Sequence, residues 1–271
     1  MKQDLFELGR ACLAACDPAE KVARTQEAGQ LLHDGACRLD IDTAALRLDS
    51  PGRPDRPRLV HYSQLPGRKL GSREGRAAFI HALAHIEFNA INLAWDAVLR
   101  FRGLPQDFYR DWVGVAAEEA LHFSLLNARL QDLGCEYGAF PAHDGLWEMA
   151  AKTAGDVLVR MALVPRVLEA RGLDVTPAMI RRLQQAGDAD SVAILERIYA
   201  DEIGHVEIGS RWYRYLCAQR GLAPAATFRT LLADYAMDRI KSPVNVAARA
   251  QAGFDADELE MLRELAGERS A

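Results

Sequence analysis

Apolar residues recur at spacings of three and four positions along most of the chain, which is the period of amphipathic α-helices. Alternating β-branched stretches that end in a tight turn are nearly absent. The pattern therefore predicts an all-α fold. Four long helices of nearly thirty residues each are predicted to form a bundle, and they span residues 73–102, 105–133, 144–171 and 190–219.

Residues that start and stop helices set these limits. Ser72 is a suitable N-cap for the first long helix, and Gly103 with Pro105 ends it. A short helix is predicted from Thr176, with Pro177 at its first position, between the third and fourth long helices. Two further helices are predicted at the C-terminal end, over residues 225–240 and 255–265.

The first 71 residues have a different pattern. Helices are predicted over residues 3–16 and 18–35, and four prolines between Ser50 and Gly71 then exclude regular helix. This stretch is interpreted as an extended arm. Its basic residues would contact phosphate or an anionic substrate, or would form a solvated linker face; they are Arg53, Arg56, Arg58, Arg68 and Lys69. The predicted domains are residues 1–71, the bundle at 72–221, and C-terminal helices at 222–271.

Two of the long helices carry the spacing Glu-x-x-His. The second contains Glu119 with His122, and the fourth contains Glu202 with His205. Residues three apart lie on one face of a helix, so both side chains of each pair can reach the same small volume. The surrounding face is apolar in both helices, and a carboxylate or imidazole placed inward needs a compensating partner.

The first and third long helices each offer one more inward carboxylate, at Glu87 and Glu169. Glu87 precedes Glu119 by 32 positions, and Glu169 precedes Glu202 by 33. Each half of the bundle is therefore predicted to be a helical hairpin that carries three ligands. Di-iron and di-manganese bundles have this ligand pattern: two helices each give one Glu, and the other two each give a Glu-x-x-His.

The chemistry of these ligands favours a pair of metal ions. Four carboxylates balance four positive charges, and imidazole favours iron or manganese over calcium or magnesium. We expect two ions, iron before manganese, with a mixed pair as an alternative. No cysteine accompanies the set, which argues against an iron–sulfur or structural zinc site. His81 and His85 form an i, i+4 pair that would mimic a zinc site or serve as core histidines.

Composition and charge bear on the possible partners of the protein and on its location. The chain has 271 residues, a formal net charge of -5 and five cysteines without Cys-x-x-Cys spacing. This charge gives no strong nucleic-acid signal. The N-terminus lacks a signal-peptide apolar region, and no apolar run is long enough to span a membrane. We expect a cytoplasmic protein with reduced thiols and no membrane partner, as a monomer or dimer.

Long stretches of the chain resemble the ferritin-like superfamily and, more narrowly, the bacterial family catalogued as domain of unknown function 455. They include PGRPDRP, GRAAFIHALAHIEFNAINLAWDA, DWVGVAAEEALHF, LVPRVLEARGLDVTP, IYADEIGHV and SPVNVAARAQAGF. Members of that family are similar to tRNA-hydroxylating non-haem di-iron proteins. The resemblance implies a ferritin-like bundle and a di-metal site. One departure is Val244, where the family pattern has phenylalanine between Pro243 and Asn245.

The expected function is an O2-dependent oxidoreductase or hydroxylase with a small-molecule or nucleoside-type substrate and an electron donor that the sequence does not identify. The alternative is a ferroxidase or iron-binding protein without an organic substrate. Pro165, one turn before Glu169, should kink the third long helix. Three residues are predicted to contact substrate: Tyr199, Asn245 and Arg249. A packing role for Tyr199 and an anchoring role for the other two are the alternatives.

Overall fold

The computed structural model describes residues 2–40, 44–45, 48–65 and 69–268. These residues are predominantly α-helical, which confirms the predicted all-α class. The chain divides into two compact units, Met1–Ala151 and Lys152–Ala271. Within the described ranges, no helix combines the length and the apolar character needed to cross a lipid bilayer.

The first unit contains two short strands and a set of helices, in the order β1 (Gln3–Asp4), α1 (Leu5–Ala14), α2 (Pro18–His33), β2 (Cys37–Arg38), α3 (Arg73–Arg100), α4 (Gln106–Asp132) and α5 (Gly145–Lys152). The strands pair in parallel, with Gln3 opposite Cys37. This pairing of two residues each was not predicted, since so short a strand leaves no periodic pattern.

Local capping explains where the helices of this unit begin. Asp4 accepts backbone N–H groups at the start of α1, and Asp17 does the same for α2, whose first residue is Pro18. The predicted N-cap of α3 is confirmed, since the Ser72 hydroxyl accepts the N–H of Gly75 at 3.0 Å. α4 ends before Gly134, which has a φ of +74° and so adopts the left-handed conformation that glycine tolerates.

The predicted arm is mostly extended in its described part. It contains one 3₁₀ turn at Tyr62–Gln64. Leu59 forms a parallel bridge with Ala142, which attaches the arm to the segment before α5. Arg68, one of the basic residues named above, lies outside the described residues.

The second unit has the element order α6 (Val157–Leu163), a π-helical stretch at Val164–Glu169, α7 (Ala170–Gln185), α8 (Ala189–Gln219), α9 (Pro224–Tyr235), a 3₁₀ turn (Met237–Arg239), α10 (Val246–Gln251) and α11 (Ala256–Leu265). We call Val164–Glu169 the π segment. The domain limits predicted at 71/72 and 221/222 stay a prediction.

The single helix predicted over residues 144–171 is wrong. The chain forms α5, leaves the helix at Thr153 and resumes at Val157. Asp156 caps the new helix, because its carboxylate accepts the N–H of Leu158 at 2.8 Å. The same carboxylate pairs with Arg220 at 2.7 Å. Pro165, where a kink was predicted, lies in the π segment.

The separate helix predicted from Thr176 is also wrong, because α7 continues through Pro177. A proline inside a helix has no N–H for the carbonyl four residues earlier, which here belongs to Leu173. The side-chain amide of Asn245 donates to that carbonyl at 3.1 Å. A contact from a distant part of the chain thus supplies the hydrogen bond that the proline removes, and the helix persists.

The π segment lies very close to α8. An ideal Cβ added to Gly209 of α8 would stand only 2.3 Å from the ring carbons of Pro165. This distance is far below van der Waals contact, so the approach requires glycine at position 209.

Candidate metal centre

The first unit places three of the predicted metal ligands together. Glu87 lies on α3, and Glu119 and His122 lie one turn apart on α4. All three are buried, with exposed fractions of 6%, 0% and 0%. Each offers one ligand atom, and these atoms lie within 4.8 Å of one another. The predicted convergence of these three side chains is therefore present.

The imidazole of His122 lies between the two carboxylates. Its Nδ1 is 3.3 Å from Oε2 of Glu87 and 3.5 Å from Oε2 of Glu119. Burial alone lowers the pKa of His122, but hydrogen bonds and charge interactions with Glu119 and Glu87 outweigh burial and raise it to about 11. The two distances show that Nδ1 is the ring nitrogen that faces the carboxylate oxygens.

The chemistry of this group fits a cation. Two carboxylates enclosed in a helical core cost several kcal/mol each unless a positive charge compensates them. Carboxylate oxygen and imidazole nitrogen together are suitable ligands for first-row transition metals. The buried cluster could hold a metal ion.

On both helices an aromatic residue follows a proposed ligand in sequence. Phe88 follows Glu87, and Phe123 follows His122; their ring centroids lie 5.6 Å apart. Tyr137 packs against both rings, at 5.6 Å from Phe88 and 5.1 Å from Phe123. These three rings form an aromatic cluster between the helices that carry Glu87 and His122 and the segment after α4.

The histidine pair of α3 has a separate set of contacts. Nε2 of His81 accepts the N–H of Gly138 at 2.9 Å. His85 has its Nδ1 2.9 Å from the Tyr137 hydroxyl and its Nε2 3.2 Å from the carbonyl of His143. Burial lowers the pKa of His85 to about 4. Both rings thus contact the segment that follows α4, as expected for core histidines.

The second unit contains the other three predicted ligands. Glu202 and His205 lie one turn apart on α8, with Nδ1 of His205 3.2 Å from Oε1 of Glu202. His205 is buried, and Glu202 is half-buried. Glu169 is the last residue of the π segment and is half-buried. The role of these three side chains in metal binding stays a prediction.

A buried arginine holds the π segment that ends at Glu169. The Arg166 guanidinium is 2.7 Å from Glu258 of α11, and both side chains are fully buried. Its Nε donates to the Ser210 hydroxyl at 3.2 Å. The guanidinium stacks within 4.2–4.5 Å of three ring centroids, those of Tyr213, Phe228 and Phe254. The ion pair and the rings fix this turn of the chain.

The three residues predicted to contact substrate lie near one another in the second unit. The side-chain amide of Asn245 donates to the Tyr199 hydroxyl at 3.0 Å. Arg249 is 3% exposed and pairs with Asp174 of α7 at 2.7 Å. Asp174 also accepts the backbone N–H of Asn245 at 2.8 Å. These are the contacts of an anchor between α10 and α7, and substrate binding by the three residues stays a prediction.

Several residues that shape these surroundings escaped the sequence analysis. Tyr137, Asp174, Arg166 and Glu258 all have partners far away in sequence. One local signal was available, since Asp255 followed three residues later by Glu258 has the spacing of a capping box, and that box is present. The burial of Glu258 against Arg166 has no such local signal.

Comparison with known proteins gives a family but no activity. The family model described as "Protein of unknown function (DUF455)" matches residues 14–260. A protein from Haemophilus influenzae named "Uncharacterized protein" is 49% identical over 219 residues, which cover 78% of this chain and 76% of that protein. No solved structure matches. Because the family model spans nearly the whole chain, this protein belongs to the DUF455 family.

Proposed function

We propose that this chain is a di-metal carboxylate protein that binds a pair of ions, iron in the first place and manganese or a mixed pair as alternatives. The proposed ligands are Glu87, Glu119, His122, Glu169, Glu202 and His205. The proposal includes a ferritin-like fold.

The buried group formed by Glu87, Glu119 and His122 is the observation that carries the proposal. A bound cation would stabilise these converging carboxylates in an all-helical core. A second observation supports it: Glu202 and His205 repeat the i, i+3 contact of Glu119 and His122. In both pairs Nδ1 faces a carboxylate oxygen, so Nδ1 is the atom that each imidazole would give to a metal ion.

The net charge of the proposed ligand set also fits two divalent ions. Four carboxylates carry four negative charges, and two neutral imidazoles add none. The protein residues would hold the ions without a large local excess of charge, which matters because the surroundings of Glu119 and His122 exclude water.

We propose O2-dependent oxidation of an organic substrate as the reaction. A reduced iron pair, when bound, would supply the electrons that activate O2. The residues of the chain would hold the ligands in place and exclude water. Phe88, Phe123 and Tyr137 form an aromatic cluster on the helices that carry Glu87 and His122, and Arg166 fixes the segment that ends at Glu169.

A single-turnover experiment tests this function. Protein loaded with Fe(II) without oxygen would be exposed to isotopically labelled O2 in the presence of a small-molecule extract of its host. The proposal expects oxidation of the bound iron and labelled oxygen in one or more organic products, analysed by mass spectrometry. Iron oxidation without any labelled product, together with ferric iron accumulating in a large assembly on gel filtration, would favour a ferroxidase instead.

A further inference from the structure

The arm of the first unit contains a second group of polar side chains, away from the buried ligands. Its backbone is fixed on both sides of Leu59: the N–H of Ala142 donates to the carbonyl of Arg58 at 3.1 Å, and the N–H of Val60 donates to the carbonyl of Ala142 at 2.8 Å. Gly138 has a φ of +99°, and an added Cβ there would lie 3.0 Å from Cβ of Arg56. The backbones of Arg56 and Arg58 are therefore held against the segment after α4.

These two arginines line a surface pocket of about 300 Å³. The rest of its lining is Gly138, Ala139, Phe140 and Pro141. Phe140 packs edge-on against His81, with the ring centroids 5.5 Å apart. Pockets that bind small organic molecules begin at about this volume. The pocket thus has room for more than a single inorganic ion.

The charged residues in the lining of the pocket are both positive. Arg56 and Arg58 are exposed, and in the described part of the chain neither guanidinium has an ion-pair or hydrogen-bond partner. Arg53, three residues earlier, pairs with Asp144 at 3.0 Å. The lining of the pocket includes no carboxylate. Two positive charges therefore face a concave surface with nothing in the lining to neutralise them.

We propose that this pocket binds a small phosphorylated molecule, with the phosphate between Arg56 and Arg58 and its carbon part against Phe140 and Pro141. A phosphate monoester carries up to two negative charges and three terminal oxygens, which can accept donors from two guanidinium groups at once. A carboxylate has one charge and is satisfied by a single arginine. The apolar floor would favour an organic phosphate over the free ion. This site is independent of the proposed metal centre.

Phenyl phosphate is the probe, because it combines a phosphate with a ring for Phe140. Isothermal titration of the full-length protein, freed of metal by a chelator, should show saturable binding with one site per chain. Benzoate, with the same ring and a carboxylate, should bind about tenfold more weakly or worse, since it loses charge-assisted hydrogen bonds. Added salt should weaken the binding of phenyl phosphate.

Variants locate the site. Arg56→Gln and Arg58→Gln should each weaken binding about tenfold, and the double variant should abolish it within the accessible concentration range. The matched control is Arg181→Gln with Arg182→Gln, which removes two exposed arginine charges from α7 and should leave binding unchanged. Circular dichroism would check that each variant is folded.

Three results would overturn the proposal. The first is the absence of saturable binding to the wild-type protein. The second is binding that survives in the double arginine variant but disappears in Glu119→Gln, which would place phosphate at the buried carboxylates. The third is a single-stranded oligoribonucleotide that binds more tightly than phenyl phosphate and depends on both arginines, since the site would then recognise a nucleic-acid backbone.

Discussion

The side-chain amide of Asn245 donates a hydrogen bond of 3.1 Å to the carbonyl of Leu173, the carbonyl that Pro177 leaves without a helix donor. Asn245 is also the N-cap of α10, where its Oδ1 accepts the N–H of Ala248 at 3.2 Å. One side chain thus supplies the hydrogen bond that the proline removes from α7, and it also caps α10. This explains how α7 can pass through a proline and still reach Gln185.

Replacing Asn245 should cost stability in a way that depends on Pro177. Asn245→Ala removes the donor to Leu173 and the cap of α10, and we expect a loss of about 1–3 kcal/mol in the free energy of unfolding. In a Pro177→Ala background, the new backbone N–H can bond the Leu173 carbonyl, so the loss should be about 1 kcal/mol smaller. Urea unfolding of the four proteins measures the coupling. Strictly additive effects would contradict the repair role.

Gly209→Ala should destabilise the second unit, because the new methyl group would collide with the rigid ring of Pro165. Overpacking of this kind costs about 1–3 kcal/mol. Gly204→Ala on the same helix is the matched control. An added Cβ there meets no atom within 4 Å, so this variant should be stabilised by up to about 1 kcal/mol through helix propensity. Equal melting temperatures for the two variants would show that the close approach is not present in solution.

Glu258→Gln should leave the charge of Arg166 buried without its counter-ion. Burial lowers the pKa of Arg166, and the charge of Glu258 opposes this effect. Removing one partner of a buried pair costs about 3–5 kcal/mol. The control is Glu260→Gln, since Glu260 is exposed and lies 3.7 Å from Arg263, and it should change stability by less than about 1 kcal/mol. Chemical denaturation measures both, and a small loss for Glu258→Gln would mean that Arg166 finds water or another partner.

Lys21 should make stability rise with pH. Its side chain is fully buried and donates to the carbonyls of Cys12 and Leu13 at 2.8 and 3.0 Å. Burial lowers its pKa from 10.5 to about 8, so between these values the folded protein releases a proton that the unfolded chain keeps. The free energy of unfolding should therefore increase with pH across this window.

The measurement compares wild type with Lys21→Met. From pH 8 to about pH 10, wild type should gain about 2 kcal/mol relative to this variant. Lys152→Met, at an exposed position, is the control and should follow the wild-type curve. Cys12 faces the lysine, and burial raises the pKa of its thiol to about 11, so the difference between proteins is more informative than either curve alone. A constant difference across the window would contradict the lowered pKa.

The features that the sequence predicted correctly depend on neighbours within one or two turns. Ser72 caps α3, and Glu119 with His122 share a face of α4, because both relations follow from helix geometry alone. The start of α2 at Pro18 was also predicted from local sequence, since proline favours the first position of a helix. Pairing Glu87 with Glu119 needed only one further assumption, that two long helices joined by a short loop pack side by side.

The features that were missed depend on distant partners. α7 persists through Pro177 because of Asn245, and no local pattern indicates that donor. The π segment is held by Arg166, whose counter-ion Glu258 lies near the other end of the unit. Propensity and periodicity describe a helix in isolation, so they predict a break at each proline or glycine. Packing against distant residues can keep the helix continuous at such a position.

Metal analysis of purified protein after anaerobic loading with Fe(II) is the most direct test of the proposed di-metal centre. Wild type should retain two ions per chain, and Glu119→Ala and Glu202→Ala should each lose the pair. Glu118→Ala and Glu207→Ala, which remove neighbouring carboxylates from the same helices, should keep both ions. Two ions per chain in Glu119→Ala or Glu202→Ala, or none in the wild type, would contradict the assignment.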